Sequence, residues 1–339
     1  MTLPFSFLLR RLTLLAAMMS SSAVLAQTLP AGCEMNEQQT VPLTFTDDMR
    51  PLVDASINGN LVSAMLNIGS GQHTVLNKKM LDRFGIKVRH VTSSVFRKEG
   101  EGESSNNITS NLVFREGLSA FVDDFSSGVV KGKAASFPVE DFIDDAFGAR
   151  IGAGSLLQAD LEIALDEGFV KHFKPRGCNT AHLAYWDPAA ISVPIIVDVW
   201  KRDPRPLLRI QINGKDVWAL LSTATPYSYL PLVAGSHLGL TPASPGAARE
   251  QPVPGHGQDQ PVWRIPVQQM AIGGMEIKDF DMRLVELGYS GEIAILGADF
   301  LQRHRVYIAM GQRRAYFSAV EIDANRKRGS VDVIPLPDN

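Results

Sequence analysis

The chain has 339 residues, enough for two ordinary domains or one large one with a well-buried core; 45% are hydrophobic and 20% charged, the balance of a soluble globular protein. A formal charge of −3 leaves no basic surplus and excludes a nucleic-acid partner as the expectation. With 28 glycines, 20 prolines and short runs rich in Val, Ile and Leu, the chain is predicted to be mostly β, with few and short helices.

Residues 1–26 read as a secretory signal peptide. Arg10 and Arg11 precede an acid-free apolar run from Leu12 to Ala26, and Val24 and Ala26 suit cleavage before Gln27. That run is too short and too serine-rich to span a bilayer, and no later segment reaches transmembrane length. The mature chain is therefore expected to be soluble outside the cytoplasm, secreted or periplasmic, without an integral membrane segment. Loss of the two leader arginines takes the formal charge from −3 to −5. Cys33 and Cys178 both survive cleavage, and one disulfide is expected in an oxidising compartment, two buried thiols being the alternative.

Downstream, the chain repeats itself. "RPLVDASINGNLVSAMLNIGSG" starts at Arg50 and "RPLLRIQINGKDVWALLSTATP" at Arg205, with no gap through Ile57-Asn58-Gly59 onto Ile212-Asn213-Gly214, Ala64 onto Ala219 and Leu66 onto Leu221. The same register sets Asn67 opposite Ser222. Each Asn-Gly pair predicts a tight hairpin, because both residues accept the positive φ of a type I′ turn. "TVLNKKMLDRFGI" and "SYLPLVAGSHLGL" follow, each read as a strand and a short helix ending at Gly85 or Gly239. A later block, "RIGAGSLLQADLEIAL", aligns with "ILGADFLQRHRVYIAM" through Gly152 with Gly297 and Ile163 with Ile308. Between the blocks lie polar, glycine-bearing stretches, "KEGEGESSNNITSN" and "VPGHGQDQPVW", suited to projecting loops. The predicted organisation is a signal peptide at 1–26, a first lobe at 27–180, a linker at 181–192, a second lobe at 193–322 and a tail at 323–339.

This order of elements resembles the retropepsin-like and pepsin-like aspartic proteases. Their units run from a hairpin into an apolar strand ending in Asp-Thr-Gly or Asp-Ser-Gly, then a flap hairpin, then two hydrophobic residues and Gly before a short helix. "MLNIGSG" and "LLSTAT" occupy the Asp-Thr-Gly positions, and "ARIGAGSLL" and "AILGADFL" the hydrophobic-hydrophobic-Gly positions. The resemblance covers nearly all of residues 40–320 and implies an all-β, two-lobed acid-protease fold with a cleft between the lobes.

The chemistry of that family needs two opposed carboxylates sharing one proton, one to accept a proton from water and the other to donate to the peptide carbonyl. Carried over residue by residue, the motif falls on Asn67, Ile68 and Gly69 in the first copy and on Ser222, Thr223 and Ala224 in the second. Neither dyad position has a carboxylate, so a general acid–base contribution of roughly 10²–10⁴-fold is missing on both sides. Asn67 and Ser222 are expected to hydrogen-bond one another instead and hold the lobes together. Asp54, on the strand before the first hairpin, and Asp299, at a helix start, are alternative acids that the alignment does not favour. Ser222 as a nucleophile lacks a triad context, and the histidines lack metal spacing, so no metal or cofactor is expected.

The expected cleft residues are Ile68, Gly69, Ser70, Thr223, Ala224, His256 and Trp263. The loops around Glu99 to Ser110 and Pro254 to Trp263 are expected to cover the cleft as flaps, with Trp263 contacting a bound chain. Three functions remain open: a pseudoprotease binding an extended polypeptide or protein segment in the cleft by strand addition; an active aspartic endopeptidase using other residues; and a structural protein whose cleft has closed.

Overall fold

The computed structural model describes residues 29–98, 110–143, 146–198, 203–251, 261–286 and 292–320. The expected signal peptide, His256, the tips of both expected flap loops and the C-terminal tail lie outside the described residues.

Both Asn-Gly turns form as their chemistry dictates. Asn58 and Gly59 have φ of 49° and 82°, and Asn213 and Gly214 have 51° and 75°, so each pair folds its flanking strands into a twisted hairpin. Pro51–Ile57 pairs with Asn60–Asn67, and Asp203–Ile212 with Lys215–Leu221. In each copy the second hairpin strand then receives a parallel neighbour from far downstream. Ala64 to Asn67 lies beside Ala149 to Gly152, and Ala219 to Leu221 beside Ala294 to Leu296. The same two strands run antiparallel to Thr74–Asn77 and to Tyr229 respectively. The predicted short helices follow at Lys78–Arg83 and Leu232–His237, and the glycine blocks open two more at Ala153–Leu156 and Ala298–Leu301.

The two lobes share a six-stranded antiparallel sheet, in the order Glu37–Pro42, Phe169–Phe173, Asp160–Ala164, His304–Ala309, Arg314–Ala319 and Ile191–Asp198. Its central pair joins the copies, with Leu161 opposite Ile308 and Ile163 opposite Val306. One apolar cluster runs through both lobes, from Val53, Leu66 and Phe125 to Leu221, Phe300 and Phe317. Cys33 and Cys178 are disulfide-bonded, which staples the strand Glu37–Pro42 to Phe169–Phe173 at the edge of the shared sheet.

Residues 181–190, expected as a linker, are a docked strap. Ala181, Leu183, Ala184 and Ala190 are buried beneath the shared sheet beside Tyr307 and Tyr316. Tyr185 Oη donates to Glu162 Oε2 at 2.7 Å, and Trp186 Nε1 donates to Ser318 Oγ at 2.7 Å. Glu162 is fully buried, and it is tolerated because Arg305 Nε also donates to it at 2.7 Å, with the guanidinium over the Trp186 ring at 4.7 Å. Ile191 already belongs to a strand. An apolar strap tied to both lobes exposes less oily surface than a free linker of the same composition.

Buried His304 couples this sheet to pH. Its Nδ1 donates to Phe300 O at 2.8 Å, its ring stacks on Phe300 at 4.1 Å, and burial, with Arg303 adding, lowers its pKa from 6.5 to about 4. The unfolded chain therefore takes up this proton first, and stability held above pH 6.5 is lost as pH falls toward 4. The amount is about 3 kcal/mol. His172 acts in the same direction, whereas the raised pKa values of Asp160 and Asp299 act in the opposite one, favouring the folded state in acid. Urea unfolding at pH 7 and 4.5 should show a loss in acid that shrinks in His304→Gln; an unchanged pH difference in that variant would exclude His304 as its source.

Candidate functional site

The site is built where the two hairpin strands end. Each runs out of the core into a small-residue turn, Asn67-Ile68-Gly69 or Ser222-Thr223-Ala224, and the two turns meet across the lobe boundary. Thr223 makes the joint: its Oγ1 donates to Leu66 O at 2.6 Å and accepts from Ile68 N at 3.2 Å, at 1% exposure. Ile68 occupies the equivalent position in the first copy but has no hydroxyl to return the contact, and it is buried in the core instead.

Gly69 sits between the two dyad positions. A Cβ there would lie 2.6 Å from Ser222 Oγ and 3.2 Å from Asn67 Oδ1, so only glycine permits this approach. Asn67 and Ser222 thus come together as the repeat register implies. The hydrogen bond expected between them does not form. Ser222 Oγ pairs with Thr225 Oγ1 at 2.7 Å inside its own turn, and Asn67 Oδ1 is buried without a partner. The serine side chain is short, and a neighbouring hydroxyl in the same turn satisfies it before it reaches the other lobe.

Behind each turn the glycine block supplies backbone support in the same way. Ala153 N donates to Ser70 O at 2.8 Å, and Ala298 N to Thr225 O at 2.7 Å. Asp299 braces the second turn further, accepting from Ser228 N, Ser228 Oγ and Phe300 N at 2.7–2.9 Å. Burial raises its pKa, against the pull of those hydrogen bonds and of Arg283 at 3.9 Å. Its hydrogen bonds hold the turn in shape. Asp54 is exposed on its strand.

In front of Asn67 opens a cavity of about 600 Å³ lined by Asn67, Gly69, Ser70, Gly71 and Gln72 with Arg150, Asp203 and Arg205. Asp203 and Arg205 come from the second lobe and form a forked pair, Nε to Oδ1 at 2.9 Å and Nη2 to Oδ2 at 2.5 Å, while Arg205 Nη1 donates to Gly69 O at 3.3 Å. Arg150 comes from the first lobe and pairs with Glu140 at 2.6 Å. Sequence reasoning missed these three residues. One signal was present: Asp48 and Arg50 carry the same spacing in the first copy and the same Nε to Oδ1 bond, at 2.8 Å.

Of the expected cleft residues, Gly69 and Ser70 line the cavity, while Ile68 and Thr223 form the joint behind it. Ala224 packs against the first-lobe cluster of Leu52, Met65, Val75, Phe142 and Phe147. Trp263, expected in a flap loop, lies in the strand Val262–Val267, opposite Arg249 and Leu284, and is half-buried against the main core. Its alternation with buried Ile265 and Val267 turns the indole inward, so it is no part of the cavity. The first expected flap does connect two paired strands, Val88–Lys98 and Ser110–Ser127, with Lys98 opposite Ser110. Among the described residues, no group of three His, Cys, Asp or Glu side chains is placed to hold a metal ion.

A two-lobed β structure with a shared six-stranded sheet and two opposed small-residue turns is the pepsin-like aspartic proteinase fold. Comparison agrees: the aspartic proteinase of Irpex lacteus superposes with a TM-score of 0.51 over 84% of this chain and 98% of its own, at 12% identity. Basic 7S globulin from soybean covers 85% of this chain and 96% of its own at a TM-score of 0.47 and 11% identity. Residues 208–300 match the aspartyl protease family. No curated protein sequence matches the chain.

Proposed function

We propose that this is an exported aspartic-protease-like protein that has lost proteolysis in both lobes and binds an extended polypeptide in the cleft between them. The observation that carries the reading is the pair of dyad positions, Asn67 and Ser222, brought together beside Gly69 with no carboxylate on either. Neither an amide nor an alcohol titrates usefully as a base in the range where a shared-proton pair works. Asp203, the carboxylate among the cavity-lining residues, is committed to Arg205. An open cavity of about 600 Å³ supports an occupied cleft over a closed one. Export fits the disulfide and the apolar leader. Residues 27–180 and 193–322 are the two lobes in this reading.

The mature protein is expected not to cleave unfolded protein at any pH between about 3 and 7, the range in which a carboxylate pair would titrate, and pepstatin-type inhibitors should have no effect on it. It should bind unstructured peptides, measured by fluorescence anisotropy with labelled peptides. Inhibitor-sensitive cleavage abolished by mutating a different acid would overturn the assignment of the dyad.

A further inference from the structure

Arg150 stands where the fold does not need a charge. Its strand, Ala149–Gly152, is the counterpart of Ala294–Leu296, and the repeat places Ile295 at the equivalent position. The second lobe shows that the same packing accepts an aliphatic side chain there. A partly buried ion pair is often no more stabilising than apolar residues of similar volume, so stability gives little reason for the arginine.

The side chain is instead held at the cavity with donors to spare. It is 23% exposed, and its guanidinium lies 5.1 Å from the centre of the Phe142 ring. Only Nη2 is engaged, with Glu140 Oε2 at 2.6 Å and Gln72 Oε1 at 3.1 Å. Nε is buried without a partner, and Nη1 has none among the described residues. An arginine offers five N–H donors in a planar fork. Among the described residues, Glu140 is held by Arg150 and Gln72, and Asp203 by Arg205. The charged residues lining the cavity are two arginines and one aspartate, and Glu140 pairs with Arg150 beside them, so what the site offers a ligand is the unengaged edge of the Arg150 fork and not a surplus of charge.

We propose that the first-lobe half of the cleft recognises a carboxylate on the bound polypeptide, with Arg150 as the specificity-determining residue. This rests on the peptide-binding reading above and adds the chemistry it selects. A ligand carboxylate accepts from the free Nη1 edge of the fork, beside the Phe142 ring and Gln72. The second lobe has Ile295 and Tyr227 at the positions of Arg150 and Gln72, and its nearby cation, Arg283, lies over the Tyr227 ring at 3.8 Å and is already paired with Glu250 and Asp299, so the two halves of the cleft differ in the donors they offer.

The test uses the full mature chain and pairs of labelled, unstructured peptides that differ by one central Glu or Gln, each with a free or an amidated C-terminus. The Glu peptide is expected to bind about tenfold more tightly at low salt, and the preference should vanish in Arg150→Ile, the residue of the other lobe, and in Arg150→Gln, but persist in Lys278→Gln, an exposed residue just past the strand Met275–Ile277. A preference that follows the free C-terminus and is lost in the same two variants supports the carboxylate site with a chain end as its source. Equal binding of all peptides, or a preference surviving in either folded Arg150 variant, overturns the proposal while leaving peptide binding intact. Failure of every peptide to bind removes both.

Discussion

Replacing Cys33 and Cys178 together by serine is expected to destabilise the protein by about 2–5 kcal/mol, the usual cost of losing a native disulfide. The bridge closes a loop with a sequence separation of 145 residues, long enough for its restriction of the unfolded chain to lie near the top of that range. It also has a local task. Glu37–Pro42 is an edge strand paired on one side only, mostly exposed, with Val41 its sole buried residue. Without the bridge this strand is held by its ladder to Phe169–Phe173 and by the isolated pairing of Glu34 with Arg176. Detachment of the edge should therefore precede global unfolding in the variant. Urea denaturation measures the first effect and amide exchange in residues 37–42 the second. Thiol labelling of the unfolded, unreduced wild type should find no reactive thiol, and two would refute the pairing.

The second large effect is expected at Thr223. Thr223→Val conserves shape but removes the Oγ1 that satisfies Ile68 N–H and Leu66 C=O at the lobe junction. Both groups are then buried without a partner, for a loss of about 2–4 kcal/mol. Since the bond crosses the lobe boundary, the variant should also loosen the lobes and weaken peptide binding, read by anisotropy alongside chemical denaturation. Thr223→Ser keeps the hydroxyl and should recover most of the loss. If Val and Ser behave alike, the hydroxyl is not what holds the turns together. Ser222→Ala should cost much less, because Ser222 Oγ bonds only Thr225 within its own turn.

Thr223 and Ser222 are neighbours in one turn, yet residue order places both while only the packing of the lobes selects the hydroxyl that crosses between them. An ungapped repeat from Arg50 and Arg205, with Asn-Gly at the same place in each, specifies two equivalent hairpins and sets Asn67 against Ser222. Turn chemistry is local, and two copies whose equivalent strands pair antiparallel, Leu161 with Ile308 and Ile163 with Val306, bring equivalent positions together, so both features could be read from residue order. The partner each side chain chooses could not. Thr223 rather than Ser222 bridges the lobes, Asn67 Oδ1 is left unpaired, and Trp263 turns into the core although its sequence neighbours suggested a loop. Arg150, Asp203 and Arg205, distant in sequence from Asn67, meet at one cavity because the shared sheet and the parallel strand Ala149–Gly152 carry them there. Hydrogen bonding is decided by differences of a few tenths of an ångström between segments some 150 residues apart, and a pattern of residue types carries no information on that scale.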